Sequence, residues 1–275
     1  LGDWAKAVLA EYPDFAMVGE EWSINPVVVA HWQRGKQNTS GHVPHMPSMM
    51  DFPIHIALRT ALTQPEGWDS GWVNLYEMLA NDFVYPDADA LVVFAENHDT
   101  SRLFAHLDGD LATWKLGMAY LATVRGTPQF YYGSEVLLRG LRERNDGQLR
   151  ADMPGGWSGD PADAFTGNGL SAAQRDAQAY TRALFDWRKR TPLLHSGKLT
   201  HFAPQDGVYV YFRHDGAKSV MVALNKNAGA TPLLLERFDA FLRGRGARDA
   251  LTGKAVALGT TLALPGKSAT LLEIE

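Results

Sequence analysis

The sequence predicts an α/β chain with an all-β tail: the C-terminal half of a (β/α)8 TIM-type barrel over residues 1–192, then an antiparallel β-sandwich over residues 193–275. Three observations carry this expectation. Up to about Arg190, short buried-strand patterns alternate with amphipathic segments of helical length, the mark of parallel β/α units. Four strand candidates cannot close an eight-stranded barrel, and look like its second half. After Thr191-Pro192 the pattern becomes short β runs punctuated by Gly, Asn and Asp, as in a small antiparallel sandwich.

Taken in order, Trp4, Ala5, Val8 and Leu9 share one face of an opening amphipathic helix. A natural chain seldom begins inside such a helix, so an upstream portion is expected. The first strand is Ala16–Gly19. Pro26–Arg34 follows as a helix, with Pro26 suited to its first turn and Asn25 to its cap. The strands Pro47–Met50, Leu91–Ala95 and Thr127–Tyr132 come next, interleaved with helices at Ile54–Leu62, Gly71–Asp82 and Leu111–Val124. Gly35–Pro47 reads as a mobile loop. Ala172–Arg190 is a surface helix: Tyr180, Leu184 and Trp187 form one stripe, with Arg182, Asp186 and Arg190 elsewhere. In the tail, strands are expected at Lys198–Phe202, Val208–Phe212, Val220–Leu224, Thr231–Leu235, Thr261–Leu264 and Ser268–Ile274, with a helix at Arg237–Leu242.

Bulk properties bound the function. The 275 residues are 45% hydrophobic and 21% charged, enough apolar mass for a large core. A net charge of −5 argues against a nucleic-acid partner. The absence of cysteine excludes disulfides and thiolate metal sites. No stretch is long and apolar enough to span a bilayer as a helix. The 8 tryptophans fill a core or offer flat faces to sugars, and both uses are expected.

Chemistry concentrates at two strand exits. Leu91–Ala95 runs into Asn97-His98-Asp99-Thr100, which sets a histidine beside a carboxylate. Phe15–Gly19 runs into Glu20-Glu21. Acidic clusters at the carboxyl ends of parallel strands suit a barrel active site, and paired carboxylates are what glycosidic cleavage requires.

These residues also carry a resemblance. Val18-Gly19-Glu20-Glu21-Trp22, Met50-Asp51-Phe52-Pro53, Phe94 to Arg102 and Gly126 to Glu135 occur in that order. Together they resemble strands five to eight of the alpha-amylase family of glycoside hydrolases. Arg150-Ala151-Asp152-Met153-Pro154-Gly155-Gly156-Trp157 is similar to the cyclomaltodextrinase and neopullulanase branch, and residues 193–275 resemble its C-terminal β domain. The resemblance implies a retaining hydrolase of α-1,4-glucans such as maltodextrin, cyclomaltodextrin or pullulan. It implies that Glu20 is the general acid/base, that Asp99 binds sugar hydroxyls and steadies the transition state, and that His98 bonds the same sugar. The family's nucleophile, an aspartate on strand four in a Gly-x-Arg-x-Asp pattern, has no match in this sequence, nor does the strand-three Asp-x-x-x-Asn-His motif. Both are expected upstream of Leu1, and the isolated chain is expected to lack activity.

A proton donor must hold its proton near neutrality, so Glu20 is expected to be enclosed by Met17, Val18 and Trp22. Glu21 is expected to point the other way and to take no catalytic role. Without the other motifs, a solvated loop charge would be the better reading of either. Asp99 is the tempting nucleophile, but the resemblance gives it the stabilising role. Trp22 and Trp157 are expected to stack on glucose rings; Phe52 and Tyr132 are candidates whose default is core packing. Asp51 caps the next helix or supports the site, and Glu135 binds sugar or ties loops; both lean structural. Arg102 pairs with a carboxylate or is a surface charge.

His42 and His45 stand close, but Pro44 breaks any helix that would align them and no third ligand is evident, so no metal is expected. Calcium is bound by some members of the family, yet no Asp-rich loop of that kind stands out, and no cofactor is expected. The partners implied are α-glucan oligosaccharides. Strand edges and apolar helix faces of a half barrel predict self-association or pairing with an N-terminal half. Two other classes stay open: an α-glucan transglycosylase, and a non-catalytic carbohydrate-binding relative.

Overall fold

The computed structural model describes residues 2–143 and 145–275. The elements run α1 (Gly2–Glu11), β1 (Val18–Gly19), α2 (Pro26–Ala30), β2 (Ser48–Met49), α3 (Phe52–Thr63), α4 (Val73–Ala80), β3 (Val92–Phe94), α5 (Leu103–His106), α6 (Leu111–Thr123), β4 (Thr127–Gln129), α7 (Asp146–Leu149), α8 (Ala172–Arg190) and α9 (Leu193–Ser196). They continue with β5 (Lys198–Gln205), β6 (Val208–His214), β7 (Ser219–Asn225), β8 (Thr231–Leu234), α10 (Asp239–Leu242), β9 (Ala247–Asp249), β10 (Ala255–Val256), β11 (Thr261–Leu264) and β12 (Ser268–Ile274). By compactness the chain forms two units. One comprises residues up to Phe94 with Arg125–Gln129; the other comprises Ala95–Val124 and Phe130–Glu275. Compactness therefore draws its line elsewhere than residue 192, because α6 and α8 pack with the C-terminal sheet.

In the first unit all strand pairs are parallel and in chain order. Val18 lies opposite Ser48 and Gly19 opposite Met49, Met50 bridges to Val92, and Val92–Phe94 pairs with Thr127–Gln129. Parallel neighbours need crossover connections, which α2 and the helices after β2 supply. Each strand is shorter than its apolar run, since only part of the run finds a bonded neighbour. Two glycines are dictated by close approach. A Cβ on Gly19 would come 2.7 Å from the Met49 sulfur. Gly126 has φ +92°, and a Cβ there would come 2.6 Å from the Leu91 carbonyl. On α1, Ala5 is buried and Val8 and Leu9 pack on the core of Met17, Val29, Ala30, Met46, Met49, Tyr85 and Leu91. Trp4, expected on that face, is largely exposed.

Asn25 caps α2 as expected, accepting from the Val27 amide at 2.9 Å. The helix nonetheless ends at Ala30 rather than Arg34. Val27-Val28-Val29 is a β-branched run with poor helix propensity, and Gln33 turns off to bridge Met46. Asp51 is wholly buried and structural. It caps α3 through the Ile54 amide at 3.0 Å and pairs with Arg125 at 2.6 Å, while Asp82 pairs with the same guanidinium at 2.5 Å. Burial raises the Asp51 carboxyl above its ordinary range, against the opposing pull of Arg125. Replacing Arg125 with Met leaves that carboxylate buried and unpaired. The expected cost is about 3–5 kcal/mol, read as a lowered denaturation midpoint.

In the second unit, six strands form one antiparallel sheet in the order β10-β9-β12-β7-β6-β5, and β8 pairs with β11 in a second. Val208, Val210, Phe212, Met221, Ala223, Leu272 and Ile274 of the large sheet share a core with Leu264, and Leu233 and Leu262 pack against it. The opposite face of the large sheet is buried as well. Tyr211 bonds Thr123 of α6, and Arg213 donates to the carbonyls of Thr123 and Gly197. That double burial is why β6 and β7 read as continuous apolar runs instead of alternating ones. Ser171 and Gln174 form a capping box at the start of α8, and Arg188, Lys189 and Arg190 complement the dipole at its end. The strands β9 and β10 were not foreseen; at three and two residues they carry no periodic signal.

Candidate active site

Glu20 and Trp22 belong to the first unit, and His98, Asp99 and Trp157 to the second. Glu20 follows directly on β1. That strand pairs only with β2 among the described residues, so its other edge is open and Val18 is 51% exposed. For the same reason the expected apolar enclosure of Glu20 is not found: its side chain is exposed. Nor does Glu21 turn away. Regular strand ends at Gly19, so the alternation does not extend to residues 20 and 21, and both glutamates line one cavity of about 330 Å³. Trp4, Trp32, His42, His45, Met46 and Met49 complete most of its wall. Trp22 lies 44% exposed on Phe52, ring centroids 4.5 Å apart. Phe52 itself is core, as its default reading had it.

The Asn97-His98-Asp99 turn is tightly built. The Asn97 amide donates to Thr100 Oγ1 at 2.9 Å, and the Asp99 amide donates to Asn97 Oδ1 at 2.9 Å. Asp99 is held at both oxygens: Oδ1 accepts from Arg150 Nη2 at 2.6 Å, and Oδ2 lies 3.1 Å from His98 Nε2. Arg150 Nε also donates to the His98 carbonyl at 3.1 Å, so one guanidinium fixes the whole turn. His98 and Asp99 keep side-chain exposures of 58% and 30%, leaving both open to a ligand.

Beneath this turn lies a second ion pair. Arg102 is fully buried, which removes the surface-charge reading. It donates to Glu96 Oε1 at 3.1 Å, to the Tyr132 carbonyl at 2.6 Å and to the Leu149 carbonyl at 3.0 Å, and its guanidinium sits 3.9 Å from the Tyr131 ring centre. Glu96 also accepts from Ser134 and from the Leu103 amide, capping α5. The end of α7 is thereby tied to the chain leaving the Asn-His-Asp turn, which sets the position of Arg150. Glu135 lies in a single turn of 3-10 helix, where its neighbour Ser134 makes the tie to Glu96. Tyr132 is half-exposed and its hydroxyl donates to the Ala151 carbonyl at 2.9 Å. Trp157 is 69% exposed on a loop whose amide donates to Asp160, a geometry open to stacking.

Arg150 and Glu96 are the residues whose roles sequence reasoning did not foresee. Both lie inside quoted motifs. Arg150 meets its partner 51 positions away, a separation with no periodic signature. Among the described residues no three histidine, aspartate or glutamate side chains converge as a metal would need.

Comparisons with known proteins identify the family of the chain. A family model described as the alpha-amylase catalytic domain matches residues 1–227, and one described as the cyclo-malto-dextrinase C-terminal domain matches residues 199–273. A cyclomaltodextrin glucanotransferase of Klebsiella oxytoca is 26% identical over 70% of this chain and 30% of its own length. A cyclomaltodextrinase of Geobacillus thermopakistaniensis is 25% identical over 93% of this chain and 38% of its own. A maltogenic alpha-amylase of Bacillus acidopullulyticus is 25% identical over 86% and 36%. The solved alpha-amylase of Geobacillus thermoleovorans, complexed with acarbose, superposes with a TM-score of 0.78 at 24% identity, covering 100% of this chain and 56% of that one. At that identity the likeness is one of fold. The chain thus spans about a third of the length of these curated relatives and about half of that solved structure.

Proposed function

The chain belongs to the alpha-amylase family of glycoside hydrolases, with a C-terminal domain of the cyclomaltodextrinase type, and from that membership we propose a retaining α-glucan hydrolase in which Glu20 is the proton donor. Asp99, oriented by Arg150, binds the hydroxyls of the sugar being cleaved and faces the positive charge that develops on its ring. His98 donates to the same sugar, and Trp22 and Trp157 stack on glucose rings. The observation that carries the reading is the catalytic-domain match, which spans both Glu20 and Asp99. The four parallel strands support a further part of it, that they are one sector of a (β/α)8 barrel.

No Gly-x-Arg-x-Asp pattern occurs in the 275 residues, so in this reading the nucleophile comes from chain outside them. We place strands bearing it against the open edge of β1, where Val18 is exposed. The test uses the 275-residue chain itself. Alone it is expected to release no reducing sugar from maltotriose, and to do so once a polypeptide with the missing strand is added. Hydrolysis by the 275 residues alone would put a nucleophile among them, with Asp99 the first candidate.

Glucan transfer is a second reading, favoured by the glucanotransferase among the relatives. The chemistry is shared and the acceptor decides. Product analysis with and without added maltose separates the two: longer products with acceptor mean transfer.

A further inference from the structure

We infer that Phe165 is a second flat platform for the glucan, beside Trp157, and that the loop between α7 and α8 thereby favours long chains over short ones. This rests on the proposed function, in which Asp99 and Trp157 bind sugar. Phe165 is 75% exposed, more than Trp157 itself.

Both rings stand on one neck that starts at the site. Arg150, which holds Asp99, opens the loop, and the Ala151 carbonyl accepts from Tyr132. The four residues from Arg150 to Pro154 reach at most about 14 Å. There the Ala164 amide donates to the Pro154 carbonyl at 2.9 Å, so the returning chain lies beside the outgoing one. Trp157 comes three residues after Pro154, and Phe165 directly follows Ala164. A glucan leaving the Asp99 turn along this loop meets both.

The outward position of Phe165 is built. Ala164 is buried in a small core with Val136 and Leu170, and its carbonyl accepts from Gln178 Nε2 at 2.8 Å. On the other side, Asp163 Oδ1 accepts from the amides of Phe165 at 2.7 Å and Thr166 at 3.1 Å. The Asp163 carbonyl accepts from the Gly167 amide at 2.8 Å, and the Asp163 amide donates to the Asn168 carbonyl at 2.8 Å. The backbone around residue 165 is therefore fixed before any ligand arrives, with Ala164 turned in and the phenyl ring turned out. A ring so placed forgoes the stabilisation that burial gives an aromatic side chain. The apolar C–H face of a pyranose is the partner that a flat, exposed ring suits.

The experiment is steady-state kinetics on maltoheptaose and maltotriose, in protein that also holds the nucleophile strand. Phe165→Ala is expected to raise KM for maltoheptaose about fivefold, the worth of one stacking contact, with kcat unchanged. Maltotriose is expected to keep its parent constants, and Phe165→Tyr, which keeps the ring, to match the parent on both sugars. The denaturation midpoint is expected to stay in place, because the ring is exposed. An unchanged KM for maltoheptaose in the alanine variant would overturn the inference while leaving the hydrolase reading intact. Equal losses on both sugars would also overturn it, since Phe165 would then act on the site itself and not on chain length. A parent that hydrolyses neither sugar would overturn the functional reading, and this inference with it.

Discussion

Glu20→Gln lowers maltotriose hydrolysis by about 100- to 10,000-fold in protein that also holds the nucleophile strand, the range expected when a general acid is lost. Glutamine keeps the shape of the side chain and removes the transferable proton. The structure makes this substitution unusually clean. The Glu20 side chain is exposed, and no hydrogen bond or ion pair engages its carboxylate among the described residues. The denaturation midpoint is therefore expected to stay where it is, so a fall in rate reports chemistry and not folding. Unchanged hydrolysis would remove the assignment.

Asp99→Asn has the second-largest effect. Two interactions change together. The negative charge facing the developing cation disappears, and the Arg150 contact at 2.6 Å loses its ionic partner. Removing one electrostatic stabiliser of a transition state typically costs about 100- to 1,000-fold in kcat. Asp99 also binds hydroxyls in this account, so KM should rise as kcat falls. Arg150→Ala is the companion variant: it leaves the charge but frees the carboxylate, and should give a smaller loss in the same direction. Steady-state kinetics on maltotriose checks both, and equal losses from the two would show that positioning, not charge, is what Asp99 contributes.

How much of this was legible in the sequence differs by residue. The positions of β1 to β4 were, because four apolar runs alternate with helices and parallel neighbours need those crossovers. The start of α2 was, because Asn25 and Pro26 act locally; its end was not, because the valine run and the Gln33–Met46 bridge compete with helix. Asp51 was legible as a cap from the Asp-Phe-Pro sequence, but its buried pair with Arg125 spans 74 positions and leaves no local trace. The same holds for Arg150 with Asp99 and for Arg102 with the Tyr132 and Leu149 carbonyls. Such long-range ties depend on which loops the fold brings together, and spacing does not encode that. The exposure of Glu20 escaped for a different reason. Its local neighbours are apolar, but enclosure depends on the unpaired edge of β1. Glu21 was misjudged by extending strand alternation past Gly19, where the strand stops.

The most direct measurement compares two substrates on the Glu20→Gln variant of protein that also holds the nucleophile strand. Maltotriose needs its leaving oxygen protonated; α-maltosyl fluoride does not, since fluoride departs unaided. If Glu20 is the proton donor, the variant loses maltotriose hydrolysis by about 100-fold or more and keeps the formation of the glycosyl-enzyme from the fluoride close to the parent rate. Equal loss on both substrates, or loss on neither, would contradict the account.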